Sequence, residues 1–288
     1  MLGGLAKRVS LAEKSNSEDG ALLIVDSGNL FTAAWRGANQ KQSIMKARLI
    51  SRAYMRMGAA AINVGALDLL QGLEFLRKEA SRGLPLVSAN LVNPATKISI
   101  FRPYIIKRVG AIRVAFFGLL SPNIRTDMYK EAGKQFLVKD PVRAAQEITG
   151  TLRGKADVTI LLSDLPSDNQ QEVIKAAPGI HFVLGGRDGR YVKLPLWEGQ
   201  TPILESYRYG MYAGKLQISY VNASSPFKYE RMEEQTRQPA SSGNGLRTSK
   251  EPPFRNNHFQ WTLMPLDMSI PEDKAVSSWI KKSGIEKE

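Results

Sequence analysis

Four short stretches place polar side chains directly after apolar runs: VDSGN (25–29), NVGALD (63–68), LLSDLP (161–166) and VLGGRDGR (183–190). Each reads as a strand followed by a tight turn, and ligand sites in α/β sheets form outside the carboxyl ends of strands. The turns carry Asp26, Asn29, Asp68, Asp164, Arg187 and Arg190. Carboxylate and amide oxygens are ligands for hard divalent cations, whereas guanidinium groups bind phosphate oxygens in pairs. None of the four stretches contains a histidine or a cysteine. The whole chain has no cysteine and only two histidines, His181 and His258. Thiolate sites, cysteine nucleophiles and a histidine-rich zinc or manganese centre are therefore excluded.

Each candidate also has a structural role open to it. Asp26 and Asn29 are turn formers whose side chains bond nearby backbone. Asp68 suits the cap of a helix beginning there. Arg187 and Arg190 can hold an anion or can neutralise Asp164 or Asp188 within the turn. His181 opens a buried strand and reads as a satisfied core residue. His258 has no carboxylate partner in view, which argues against a catalytic base. Trp35, Tyr207, Tyr209 and Tyr212 either line a cleft or pack at strand ends. GNGLR (243–247) resembles a phosphate loop only superficially, because no strand precedes it and no helix follows.

The elements that must position these turns alternate along the chain. A basic amphipathic helix is expected over 4–16, a buried strand over 21–26, a helix over 41–57, a strand over 61–64 and a helix over 68–80. LPLVSAN (84–90) is a strand, and two further strands flank Gly110-Ala111 as a hairpin. Asp140 and Pro141 form a cap and first-turn pair for a helix reaching about Arg153. A fully buried strand DVTILLS, a helix over 168–177 and a strand HFVLGG follow. From 202 onward strands dominate, interrupted by a polar stretch at 223–257 that reads as a mobile loop. A last helix begins near Ser269 or Pro271-Glu272.

The 288 residues suffice for one large α/β domain, and the formal net charge of +13 implies attraction to anions. The basic residues are scattered. One tighter pattern, Arg48, Arg52 and Arg56, recurs every four residues as a helix stripe, either a solvated face or an anion-binding one. Nucleic-acid binding driven by charge is the weakest of the readings. No apolar segment approaches the ~20 residues that span a bilayer, and the first residues read as a polar helix without the apolar core of a signal peptide.

In series, these stretches resemble the metallophosphoesterase domain of the 5'-nucleotidase family. The family's DAGD is matched by DSGN, its GNHEFD region by VGALDLL, and FPxLSAN by LPLVSAN. PYxIKxxxGxKVGxxGL is matched by PYIIKRVGAIRVAFFGLL, and the LSHLG segment by LLSDLP. GGHSH is matched by GGRDG, and the TPIxxxxxYG and IPED signatures recur at 201–210 and 270–273. The resemblance covers almost the whole chain in the family's order. It implies a four-layer α/β/β/α sandwich in a single domain, 1–288, without the family's C-terminal nucleoside-binding domain.

In the family two divalent metal ions clamp the phosphate and activate water. Carried over residue by residue, the family's GD aspartate is Asn29, its GNHE asparagine is Ala66 and the following histidine is Leu67. The LSHLG histidine is Asp164, and the GGHSH pair falls on Arg187 and Gly189. The family's early D-x-H turn has no counterpart, so the chain is expected to lack that strand unless sequence lies upstream. The resemblance therefore implies a vestigial site at Asp26, Asn29, Asp68 and Asp164, with no catalytic or metal-ligating residue and no cofactor. Arg187 and Arg190 become candidates for an anion. The expected function is a non-catalytic binding or interaction module for a phosphorylated or other anionic ligand, or for a protein partner. The alternative is a phosphoester hydrolase whose metal site is altered or externally completed. The family also suggests a periplasmic or extracellular setting, although the compartment is not readable from these residues.

Overall fold

The computed structural model describes residues 3–19, 22–31, 40–122, 135–208, 210–231 and 256–284. The chain opens with α1 (Leu5–Asp19), then β1 (Val25–Asp26), α2 (Gln40–Arg56) and β2 (Ala61–Asn63). A 3-10 turn over Ala66–Gln71 precedes α3 (Leu73–Ser81), β3 (Leu86–Val87), β4 (Leu91–Val92), β5 (Tyr104–Val109) and β6 (Ile112–Leu120). Next come β7 (Leu137–Val138), α4 (Pro141–Leu152), β8 (Val158–Asp164), α5 (Ser167–Ala176) and β9 (Phe182–Gly185). The chain continues through β10 (Leu196–Glu198), β11 (Thr201–Glu205), β12 (Tyr212–Ser219), β13 (Phe227–Tyr229), β14 (Asn257–Pro265) and α6 (Lys274–Lys282).

The main sheet has six strands in the order β10-β11-β9-β8-β6-β5. Its four central strands run parallel, and antiparallel β10 and β5 close the edges. Strands β1, β2 and β3 form a parallel sheet, and in a third sheet β14 pairs antiparallel with β12 and parallel with β13. All seven residues of β8 are buried, as a central strand covered on both faces requires. The period of two divides its side chains between layers. Leu161 points with Phe117 and Val183 toward Ala145, Ile148 and Val173 of α4 and α5. Ile160 and Leu162 point with Phe116 and Phe182 toward Val87, Phe227 and Phe259 of the smaller sheets. Tyr54, Leu73 and Leu76 of α2 and α3 cover the other face of the β1-β2-β3 sheet through Ile62 and Leu86. The layers are helix, sheet, sheet, helix, and the expected four-layer sandwich is the fold observed.

Several local expectations change. The helix expected over 68–80 is broken at Gly72, whose φ of 84° belongs to the left-handed half of backbone space. Ala66–Gln71 are wound tightly before that break, and Asp68 stands at the third position of this turn, where its side chain reaches back to the N–H of the cap residue Gly65. The polar stretch 223–257 is not all loop: Phe227–Tyr229 pairs parallel with Asn257–Phe259, and Phe227 is buried. Its apolar ring recovers burial energy that the surrounding Ser, Asn and Pro residues do not supply. The rest of that stretch, 232–255 including GNGLR, lies outside the described residues, as do Trp35 and Tyr209. The last helix is capped by Asp273, which accepts from the Val276 N–H at 2.8 Å.

Two of the three stripe arginines, Arg52 and Arg56, lie at a seam between helices, while Arg48 is exposed. Arg52 stacks 3.6 Å from the Trp279 ring centroid, and Arg56 bridges Glu13 and Asp273 at 2.8 and 3.1 Å. Beneath them Val9, Ala53 and Val276 pack at the meeting of α1, α2 and α6. Expectation and structure agree at α4, where Asp140 accepts from Arg143 N–H and Pro141 fills the first position.

The two sheets approach closely at Gly118 in β6. A Cβ there would stand 2.2 Å from Asn63 Oδ1 and 2.8 Å from the Val87 carbonyl oxygen. Gly118→Ala is expected to lower stability by about 1–3 kcal/mol, the usual cost of overpacking. A urea midpoint unchanged from wild type would show that the sheets can part without penalty.

Candidate functional site

The four turns converge at the carboxyl ends of β1, β2, β8 and β9, and hydrogen bonds lock them together. Asn29 is the hub. Its backbone takes a φ of 59°, tolerable for asparagine but rare for other side chains. Its Nδ2 donates to Asp164 Oδ1 at 2.6 Å, and its Oδ1 accepts from Leu67 N–H at 2.8 Å. One amide thus ties the β1 turn to both the β2 turn and the end of β8. Gly65 makes this approach feasible, since a Cβ there would lie 2.3 Å from Asn29 Oδ1 and 2.4 Å from its nitrogen.

Asp68 anchors the same turn from below. Its Oδ2 accepts from Asn29 N–H at 2.8 Å and Gly65 N–H at 2.9 Å, while Oδ1 accepts from Phe31 N–H at 2.8 Å. Burial pushes its carboxyl up to about 8, against the opposing pull of the backbone donors. Asp164 ends β8 fully buried. It accepts from Ala66 N–H at 2.6 Å as well as from Asn29, and Arg187 NH1 lies 3.4 and 3.3 Å from its two oxygens. Burial raises its carboxyl too, and Ala66, Arg187 and Asn29 pull it back.

Asp26 forms the expected turn bond, accepting from Gly28 N–H at 3.0 Å. Its other oxygen accepts from the Tyr54 hydroxyl at 2.7 Å, and Arg8 NH1 donates to that hydroxyl at 3.0 Å. Burial raises the Asp26 carboxyl, while Tyr54, Gly28 and Arg8 act in the other direction. This chain from α1 through α2 to β1 was not visible in the sequence. The only signal was Tyr54 on the inner side of the arginine stripe.

Arg190 meets a partner that the sequence reading also missed. Its Nε and NH2 lie 3.1 and 2.5 Å from Glu205 Oε1, and its backbone N–H donates to Oε2 at 3.1 Å. Glu205 ends β11 in register with Gly185, and its side chain is fully buried. A carboxylate closing the apolar run TPILE was the available clue. Asp188 turns away and accepts from the Ser167 hydroxyl and backbone N–H.

The histidines stand apart from this convergence. His181 precedes β9, and its Nδ1 accepts from Thr159 N–H at 2.9 Å. Burial lowers its basicity, consistent with a neutral core imidazole. His258 belongs to β14, in the sheet with β12 and β13. Tyr207 packs edge-on with both Tyr191 and Tyr212, and Tyr191 lies tilted against Tyr212. Among the described residues, no group of three or more histidine, cysteine, aspartate or glutamate side chains is arranged to hold a metal ion.

The raised carboxyl of Asp68 gives stability a definite pH dependence. The folded state retains a proton that the unfolded chain, with an aspartate near 3.9, releases. Its contribution is complete below about pH 4 and disappears as pH rises through about 8. Wild-type stability is expected to fall across that window, with Asp26 and Asp164 adding in the same direction. Asp68→Asn should lower stability at pH 5 and flatten the slope. Equal slopes in chemical denaturation would show that the three N–H donors keep Asp68 ionised.

No protein-family model matches the chain. It is similar to the 2',3'-cyclic-nucleotide 2'-phosphodiesterase/3'-nucleotidase of Salmonella typhimurium, with 24% identity over 207 residues, covering 64% of this chain and 32% of that protein. It spans about a third of that relative's length. The solved calcineurin-like phosphoesterase YfkN of Bacillus subtilis superposes on 98% of this chain and 88% of its own, with a TM-score of 0.71 and 16% identity. The 5'-nucleotidase precursor of Thermus thermophilus covers 98% of this chain and 52% of its own, with a TM-score of 0.69 and 19% identity. No helix among the described residues is long and apolar enough to cross a membrane. The chain has the metallophosphoesterase fold, and the relative and two structural neighbours named above are phosphoesterases of the 5'-nucleotidase and calcineurin-like type.

Proposed function

We propose that this chain is a metallophosphoesterase-fold domain in which an internal polar network replaces the dinuclear metal centre. In this reading it is a non-catalytic binding domain for a phosphorylated or other anionic ligand, held at Arg187. The observation that carries the reading is the Arg187 guanidinium against the buried Asp164 carboxylate. A permanent cation from the protein stands beside the carboxylate that would otherwise face a metal.

The donor set does not fit two divalent ions. Each would need several oxygen or nitrogen ligands at about 2.0–2.2 Å, and both Asp164 oxygens already accept from Ala66, Asn29 and Arg187. Asn29 Oδ1 is engaged by Leu67 N–H, and both Asp68 oxygens by backbone. Ala66, Leu67 and Gly189 offer no side-chain ligand.

What supports an anionic ligand is the outer edge of Arg187. Its NH1 faces Asp164, and among the described residues its Nε and second amino group meet no acceptor. The side chain is 28% exposed. A charged hydrogen bond at such a site contributes about 1.5–3 kcal/mol, so Arg187 alone gives weak affinity. Arg190, committed to Glu205, is left out of the site.

Two measurements test this reading. Elemental analysis should find no stoichiometric manganese or zinc, and phosphatase assays with either metal added should give no turnover. Calorimetry should detect inorganic phosphate binding that falls at least tenfold in Arg187→Ala, with Arg187→Lys intermediate. Two tightly bound metal ions per chain with phosphatase activity would establish the hydrolase alternative instead. Equal phosphate binding in wild type and Arg187→Ala, or none in either, would rule out the anion role.

A further inference from the structure

The turn that carries Arg187 continues into an aromatic wall. Tyr191 bridges to Ser206, and Tyr207 N–H donates to the Arg190 carbonyl at 3.2 Å, so the segment after β9 runs beside the segment after β11. Three phenol rings meet there. Tyr191 lies 5.8 Å from Tyr207 and 5.0 Å from Tyr212 between centroids, and Tyr207 lies 5.9 Å from Tyr212. Two cations flank the rings: Lys193 Nζ is 5.7 Å from the Tyr191 centroid, and the Arg208 guanidinium is 5.7 Å from that of Tyr207. Arg208 also packs over Gly189, two residues from Arg187, where a Cβ would stand 3.1 Å from Arg208 Cβ.

Two features distinguish this cluster from ordinary packing. Tyr207 is held at a φ of 72°, a region that bulky L-residues rarely adopt. Such strain persists where surrounding structure enforces it and gathers at ligand sites. Tyr191, the outermost ring, is 43% exposed, so one face of the cluster is open to a ligand. An exposed ring with cations at its margin is suited to a guest that is flat, apolar and negatively charged at one end.

We propose that Tyr191, Tyr207 and Tyr212 make the Arg187 site selective for anions that carry an aromatic ring, the simplest being an aryl phosphate. The ring lies against Tyr191 and the phosphate reaches toward Arg187, with Lys193 and Arg208 adding positive potential along the path. This inference rests on the anion role proposed for Arg187, and the two fail separately.

The test is calorimetric titration of the full chain with inorganic phosphate and with phenyl phosphate. Wild type is expected to bind phenyl phosphate about tenfold tighter, the scale of one stacking contact. Tyr191→Phe should keep that preference. Tyr191→Ala should erase it while leaving inorganic phosphate binding unchanged, and Arg187→Ala should weaken both ligands. Equal affinity of wild type for the two ligands, or a preference that survives Tyr191→Ala, overturns the aromatic wall and leaves the Arg187 reading standing. Binding of neither ligand overturns both. Thermal melts of each variant separate lost binding from lost folding.

Discussion

The side chain of Asn29 is the contact on which the strand-end architecture depends. It sits between two sheets and must satisfy a buried carboxylate on one side and a backbone N–H on the other. An amide alone among side chains of that size offers both a donor and an acceptor in a fixed geometry. Leucine or serine there would leave Asp164 short of one donor and Leu67 N–H without its acceptor, each loss costing about 1–3 kcal/mol when buried. The close backbone approach at Gly65 and the left-handed turn at Asn29 follow from this requirement.

Around that hub the protein keeps two buried carboxyl groups, Asp68 and Asp164, and a half-buried one, Asp26, each with a different set of donors. Asp68 uses backbone alone, Asp164 combines backbone, amide and guanidinium, and Asp26 leans on a tyrosine backed by Arg8. Desolvation raises all three. Isolated buried anions would be severely penalised, and the donors offset only part of that penalty, so that burial still raises each carboxyl. Glu205 and Arg190 repeat the solution one strand further along the sheet. The site is therefore a rim of locally neutralised charges, with Arg187 as the guanidinium whose outer edge is turned to solvent.

Much of this was legible in the sequence because it depends on local pattern. The buried run of β8, the hairpin at Gly110 and the Asp140-Pro141 start of α4 follow from periodicity and capping chemistry. The convergence of Asn29, Asp164 and Arg187 was readable through the family's motif order. What escaped depends on distant segments. Arg8 and Asp26 meet only through Tyr54, and Glu205 meets Arg190 only because β11 lies beside β9. The strand at Phe227–Tyr229 was hidden for a similar reason, since three residues carry little periodicity and their partner is β14. Gly72 split a helix whose apolar pattern continued across it.

The 2.6 Å bond between Asn29 and Asp164 also bears on what the protein could become. Exchanging the amide for a carboxylate would set two acceptor-only groups against each other, leaving Arg187 and the Ala66 and Leu67 N–H groups to compensate. They would have to share a proton, as closely spaced carboxyl pairs do. A histidine in place of Leu67 would meet a site whose acceptors are already engaged. Either exchange taken alone thus disturbs bonds that Asn29 and Asp164 already make, and passes through a less stable intermediate. The network works as a mutational ratchet, because the side chains that a stepwise change would alter are the ones that tie the strand-end turns together.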